Sequence, residues 1–263
     1  MTGQLDRSVP TEPTRAERAR SFARVAGEYE RGRPGYPPGA VAWLLGARPL
    51  EVLDLGAGTG KLTAALLDAG HRVTAVEPLA EMREVLARGQ PRARTLEGTA
   101  EQLPLADASV DAVAVGAAFH WFDHAAALQE VARVLRPGGV LGLIGNGFDA
   151  SVRWVAKLRE ILGTPPLRRP GHWPSAELLG AYFEHVEDRE FAHRQRIDRG
   201  GLRDLASSRS SLAVLPASER ERVLTRLDSL WELEPALSGR REVTLPWRAN
   251  VRRCKPLLAA CKR

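Results

Sequence analysis

The residues best placed to do chemistry lie at the ends of two short apolar runs. Val52-Leu53-Asp54-Leu55 leads into the loop Gly56-Ala57-Gly58-Thr59-Gly60, and Val73 to Val76 ends at Glu77-Pro78. Glycines at a strand-to-helix junction permit a tight turn and let a ligand come close to the backbone. An acid about 20 residues further on, at the end of the next strand, can accept hydrogen bonds from both hydroxyls of a ribose. The plainer reading of Glu77 is an exposed turn residue, but its position and spacing together favour the ligand role. Two phosphate-binding readings fail by position. A G-x-G-x-x-G fingerprint begun at Gly56 meets Lys61 where Gly or Ala is required, and begun at Gly58 it meets Thr63. A P-loop would need glycine at Leu55 and Ser or Thr at Leu62. What remains is the pattern Asp-x-Gly-x-Gly-x-Gly, running from Asp54 to Gly60.

That pattern resembles the first motif of class I S-adenosylmethionine-dependent methyltransferases. The resemblance implies that Gly56, Ala57, Gly58, Thr59 and Gly60 wrap the methionine part of the cofactor, which carries no pyrophosphate. Asp54 would place the cofactor's ammonium group, directly or through water. Glu77 would take the ribose, with Pro78 and Met82 beside it. Glu97-Gly98-Thr99-Ala100-Glu101-Gln102-Leu103-Pro104-Leu105 looks like the family's adenine-side segment, with Thr99 in place of the usual aspartate, Ala100 supplying backbone, and Glu101 next to it. Asp111 to Gly116 is similar to the fourth strand, whose end at Gly116 touches the methionine moiety. Val131 to Val140, with its Arg136-Pro137-Gly138-Gly139 turn, resembles the helix and turn that lead to the fifth strand. The match spans residues 20–146 and is closest to the small-molecule branch that includes ubiquinone/menaquinone-biosynthesis and trans-aconitate methyltransferase-like proteins. Val243-Thr244-Leu245-Pro246-Trp247-Arg248 looks like that branch's final strand.

The implied activity is transfer of a methyl group from S-adenosylmethionine to a small molecule, leaving S-adenosylhomocysteine. The acceptor atom (hydroxyl, carboxylate, amine or carbon) stays open. In such a displacement the cofactor brings the activation, and the protein positions the nucleophile and excludes water. A base is needed only where the nucleophile carries a proton of high pKa. Phe119-His120-Trp121-Phe122-Asp123 follows the fourth strand, at the edge that faces the ligand crevice in such sheets. His120 is the candidate catalytic base, since an imidazole titrates near neutral pH. The alternative is that His120 fixes the loop, with Trp121 and Phe122 against the cofactor or in the core. Asp123 reads as the cap of the following helix. Upstream, Tyr29 and Arg33 are candidates to close the site, with Arg33 near the methionine carboxylate. A packing tyrosine and an exposed arginine are the equal alternative. His120, Asp123 and His124 lack further ligands nearby, so no metal is expected.

The elements that must position these residues alternate. Strands are expected at 52–55, 73–76, 93–97, 110–115 and 140–144, with helices at 61–69, 79–87 and 123–135 between them. This rhythm predicts an α/β, doubly wound, mostly parallel sheet, and the resemblance makes it seven-stranded and Rossmann-like. Past Asn146 the rhythm breaks. Helices are expected at 149–163 and 175–182, an edge strand at 186–197, two helices within 202–232 and a last strand at 243–253. The organisation predicted is a flexible leader at 1–20 and a single domain at 21–263: cap helices at 21–50, a cofactor-binding core at 51–146, a helical insertion or lid with the sixth strand at 147–240, and the last strand and tail at 241–263. Trp154, Trp173, Trp247 and the segment Ser207-Ser208-Arg209-Ser210-Ser211 fall in this second half, where substrate pockets usually form.

Composition narrows the classes. Hydrophobic residues make up 44% of the 263, enough for a core. No run approaches the ~18 apolar residues of a membrane span, and the polar start of the chain offers no secretory signal. The two cysteines, Cys254 and Cys261, form no CxxC pair, so neither a disulfide framework nor zinc is indicated and a cytoplasmic location is expected. The net charge of +6 invites a nucleic-acid reading. The arginines are scattered among acids, however, and lysine occurs only at Lys61, Lys157, Lys255 and Lys262. Gly116-Ala117-Ala118-Phe119 stands where amino-methylating nucleic-acid enzymes usually carry Asp/Asn-Pro-Pro-aromatic, and the core holds no cysteine for cytosine-C5 chemistry. The other alternative, a cofactor-binding protein that no longer methylates, is not excluded by fold. The oligomeric state is not legible.

Overall fold

The computed structural model describes residues 25–164 and 173–257; the expected leader, the helical start at Phe22 and Cys261 lie outside them. Among the described residues, strands alternate with helices through the first half of the chain. The order is α1 (Ala26–Gly32), α2 (Pro38–Leu45), β1 (Glu51–Leu55), α3 (Lys61–Asp68), β2 (Arg72–Val76), α4 (Ala80–Gly89), β3 (Arg94–Leu96) and β4 (Val110–Gly116). A 3-10 turn over Phe119–Trp121, α5 (His124–Val134) and β5 (Leu135–Phe148) follow. The second half holds α6 (Arg153–Ile161), α7 (Ala176–Gly180), β6 (Phe183–Ile197), α8 (Arg199–Ser207), α9 (Ser210–Ala213), α10 (Ala217–Leu233) and β7 (Val243–Pro256).

The strands form one seven-stranded sheet in the order β3-β2-β1-β4-β5-β7-β6. All neighbours pair in parallel except β7, which runs antiparallel to both β5 and β6. Successive side chains on a strand point to opposite faces. Leu53, Leu55, Val113 and Val115 accordingly join α5 residues Leu128 and Val131 in one core. Val52, Ala112 and Ala114 face the other way, onto Val41 and Leu44 of α2 and Leu62 and Leu66 of α3. Burial on both faces is why these strands read as continuous apolar runs. A third core gathers Trp154 and Leu158 of α6, Leu205 of α8, Leu227 and Trp231 of α10, and Phe148 and Trp247 at the far ends of β5 and β7.

Local chemistry sets the element ends. Asp123 caps α5, its Oδ1 accepting from the backbone of Ala125 and Ala126 at 3.1 Å each, as expected. Gly70, at φ 88°, follows α3 in a conformation that favours glycine. The helix expected from residue 149 starts only at Arg153, because Asp149 Oδ1 accepts from the Ser151 hydroxyl and holds a turn. The stretch 202–232, expected as two helices, breaks into α8, α9 and α10. The edge strand expected from Val186 begins at Phe183, with a register shift between Glu184 and Glu187 absorbing the irregularity.

Candidate active site

Pairing of Leu55 with Val76, and of Asp54 with both Ala75 and Ala114, brings the carboxyl ends of β1, β2 and β4 side by side. The glycine loop leaves β1 there. Gly56 and Ala57 both donate their N–H to the carbonyl of Val76, pinning the loop to β2. Gly56 has φ 67°, and a Cβ on it would stand 2.8 Å from the Ala118 side chain, so glycine is required twice over. Gly58 has φ 58° and faces open space, leaving its backbone approachable.

Glu77 ties the two loops together. Its Oε2 accepts from the Gly58 N–H at 2.9 Å and its Oε1 from the Leu79 N–H at 3.0 Å. The residue is buried, and burial raises its pKa above the ordinary glutamate value against the pull of those two N–H groups and Arg83. Asp54 is fully buried. Its Oδ2 accepts from the Thr63 hydroxyl at 2.6 Å, while its Oδ1 has no hydrogen-bond partner in the protein. Burial pushes this carboxyl up to about 7, the Thr63 hydrogen bond opposing and the Glu77 charge adding. An orphaned, buried carboxylate oxygen is a group waiting for a donor. Lys61, by contrast, is spent on Glu30 of α1 at 2.8 Å.

Against Glu77 lies a cavity of about 160 Å³, whose lining does not include the fully buried Asp54. Of the residues singled out in the sequence, it brings together Tyr29, Gly56, Gly58, Glu77, Pro78, Met82, Gly116 and Trp121. Leu79, Ala117, Ala118 and Phe122 complete the wall. The first three were not marked as site residues in the sequence, although each directly follows a marked residue or its neighbour. Small apolar side chains carry no chemical signal of their own. Ala117 sits at φ 53°, an unusual conformation for alanine, at the turn off β4. Tyr36 closes the back: a Cβ on Gly116 would meet its hydroxyl at 2.9 Å.

The other marked residues lie outside the lining. Ala57 packs with Ala75 and Leu86, and Gly60 caps α3 at φ 93°. Thr59 is buried with its hydroxyl unpartnered. Thr99 bridges Gln102, Ala100 is core, and Glu101 accepts the Asp123 N–H at 2.8 Å. His120 stands on the 3-10 turn with its ring 4.7 Å from that of Trp121. Arg33 is only partly exposed: its Nε donates to the Ser208 hydroxyl at 2.8 Å, and its guanidinium lies 5.2 Å from the centre of the Tyr29 ring. Among the described residues no group of three His, Cys, Asp or Glu side chains is placed to hold a metal ion.

The donor set suits a ligand with a cationic amino group near Asp54, sugar hydroxyls near Glu77 and a flat ring against the apolar Pro78–Met82 side. These are the parts of S-adenosylmethionine, so the residues present fit that molecule. Residues 53–143 match the family profile described as a methyltransferase domain. An uncharacterized methyltransferase of Mycobacterium tuberculosis (strain ATCC 25618 / H37Rv) is 44% identical over 89% of this chain and 95% of its own length. The ubiquinone/menaquinone biosynthesis C-methyltransferase of Rubrivivax gelatinosus is 37% identical over 47% of this chain and 49% of its own. Among solved structures, a candidate type II methyltransferase of Anaeromyxobacter dehalogenans superposes with a TM-score of 0.63 at 23% identity, covering 86% of this chain and 98% of that one. At that identity the likeness speaks to the fold.

Proposed function

The chain belongs to the S-adenosylmethionine-dependent methyltransferases, and from that premise we propose that it methylates a small-molecule acceptor at the cavity between the glycine loop and the β4 turn. The observation that carries this reading is the buried Asp54–Glu77 pair, with the Asp54 Oδ1 unsatisfied, beside a cavity walled largely by apolar and small residues. S-adenosylmethionine, when bound, supplies a methyl group already activated by its sulfonium. The chain's own residues would do the rest. Thr63 orients the Asp54 carboxylate, which would take the ammonium group; Glu77, held by two backbone N–H groups, would take the ribose hydroxyls. Gly58 leaves room for the methionine part, with Thr59 and Gly60 behind it, while Met82, Phe122 and Trp121 exclude water. Tyr29 and Arg33 would close the N-terminal side, and Thr99, Ala100 and Glu101 would border the adenine end. His120 would accept the acceptor's proton where the acceptor has one to lose.

A small acceptor is also supported by the arrangement of charge. On the β6–β7 face, Arg248, Arg252 and Arg253 are each paired with an acid, Glu190, Asp188 and Glu187 respectively, so the net positive charge is not gathered into a free phosphate-binding stripe there. The enzyme we propose is cytoplasmic and acts on a dissolved metabolite; among the described residues no helix is long and apolar enough to cross a membrane. The test is a panel of hydroxyl, carboxyl, amine and activated-carbon metabolites, read as S-adenosylhomocysteine release, with duplex DNA, transfer RNA and a protein mixture alongside. Turnover confined to metabolites is the expected result, and methylation of a polymer would contradict the reading. With the acceptor in hand, His120→Ala should lower turnover at unaltered cofactor affinity; loss of both together would make His120 a positioning residue.

A further inference from the structure

The segment Ser207-Ser208-Arg209-Ser210-Ser211 links α8 to α9 and has no part in the cofactor cavity described above. Ser208 is fully buried, and its hydroxyl and carbonyl both accept from Arg33, at 2.8 and 3.2 Å. The next residue, Arg209, turns its guanidinium toward the Phe148 ring, 5.9 Å from the centre. Two arginines from distant parts of the chain are thus fastened to consecutive positions of one loop. Among the described residues no carboxylate pairs with either, and Arg209 Nε is buried with no hydrogen-bond acceptor. Several other arginines of the second half do have an acid within reach, Arg199, Arg203, Arg248 and Arg252 among them.

A guanidinium whose Nε is buried without a counter-charge is costly, and a second, half-buried one beside it adds to the cost. Burial first, and the Arg33 charge second, push Arg209 down to about 9, still protonated at neutral pH. Such an arrangement is a cost in the free protein that an anion would relieve, because a guanidinium fork matches a carboxylate or phosphate with two parallel N–H bonds. The location agrees. Arg33 lies over Tyr29, a wall of the cofactor cavity, and Arg209, close enough to feel the Arg33 charge, lies over Phe148 at the carboxyl end of β5, so the pair stands just behind the Tyr29 wall and outside the lining itself.

We propose that Arg209, with Arg33 beside it, binds the anionic group, carboxylate or phosphate, of the methyl acceptor. This rests on the methyltransferase reading above and narrows its substrate class to acidic metabolites. It makes Arg209 a specificity residue that the chemistry of the cofactor does not need.

The experiment is calorimetric titration of the full chain, saturated with S-adenosylhomocysteine, with inorganic phosphate in one arm and succinate in the other. Wild type should bind at least one of the two, the preferred arm naming the anion. Arg209→Met should bind it at least tenfold more weakly while S-adenosylhomocysteine affinity stays within twofold. Its Tm should be equal or higher, since an unpaired buried charge is gone; an arginine with a merely structural role would lower it. Arg209→Gln serves as the second variant, with the same expectations. The proposal is overturned if neither anion binds wild type, if the variants bind as wild type does, or if they lose S-adenosylhomocysteine affinity by the same factor, which would assign the pair to the cofactor's own carboxylate. Anion binding that survives where S-adenosylhomocysteine does not bind would sustain the anion site and sink the cofactor reading.

Discussion

Asp54 shows most clearly what a single side chain contributes. A carboxyl whose pKa rises from 3.8 to about 7 on folding holds its proton in the native state at pH values where the unfolded chain has lost it. The native state therefore binds more protons, and stability from this group is fully present below pH 4, declines as pH rises, and is lost by pH 7, with a slope of up to about 1.4 kcal/mol per pH unit. Asp54→Asn should remove that decline, so that its stability relative to wild type improves between pH 5 and pH 7 in urea denaturation. Parallel profiles would mean the carboxyl is not perturbed. Asp54 and Glu77 were singled out in the sequence because each lies at the end of a strand next to a loop; spacing marked Glu77, while the role expected of Asp54 came from the resemblance. Arg209 was not legible as a partner of Arg33. Nothing local in Ser-Ser-Arg-Ser-Ser tells that its backbone will meet the N-terminal cap.

Between elements, the docking of α1 on α8 decides whether Tyr29 and Arg33 reach the site at all. Gly32 makes that approach possible, since a Cβ there would lie 2.3 Å from the Leu205 backbone nitrogen and 2.6 Å from the Asp204 carbonyl carbon. Gln195 also donates its amide to the Gly32 carbonyl at 3.0 Å, and Arg31 pairs with Asp204. Gly32→Ala should therefore force the two helices apart, at a cost of about 1–3 kcal/mol by the usual scale of overpacking. Thermal denaturation would check it, and an unchanged Tm would show that α1 is not held where described. The sequence read the first-half elements closely because period and breakers agree there. It misread the second half where side chains override local pattern: Asp149 and Ser151 delay α6, and the breaks at Ser208 and Pro216 make three helices of an expected two.

For the molecule as a whole, the alternation of strands and helices made a mostly parallel sheet foreseeable, though not the order of its strands. The resemblance implied seven strands, but the antiparallel placement of β7 between β5 and β6 was not foreseen, because the pairing of these edge strands is set by tertiary contacts and not by local pattern. Ligand binding to the native state alone should stabilise it, by about 2.7 kcal/mol at a hundredfold excess over Kd, so the account can be tested on the intact chain. The buried acids at the ends of β1 and β2 are the groups proposed to hold S-adenosylmethionine. The most direct test is calorimetric titration of wild type and Glu77→Ala with S-adenosylmethionine, with NAD and ATP as controls. Wild type should bind S-adenosylmethionine and neither control, and Glu77→Ala should bind at least tenfold more weakly, as loss of a charge-assisted hydrogen bond of about 1.5–3 kcal/mol requires. Equal affinity in the two proteins would contradict the account and remove Glu77 from the site.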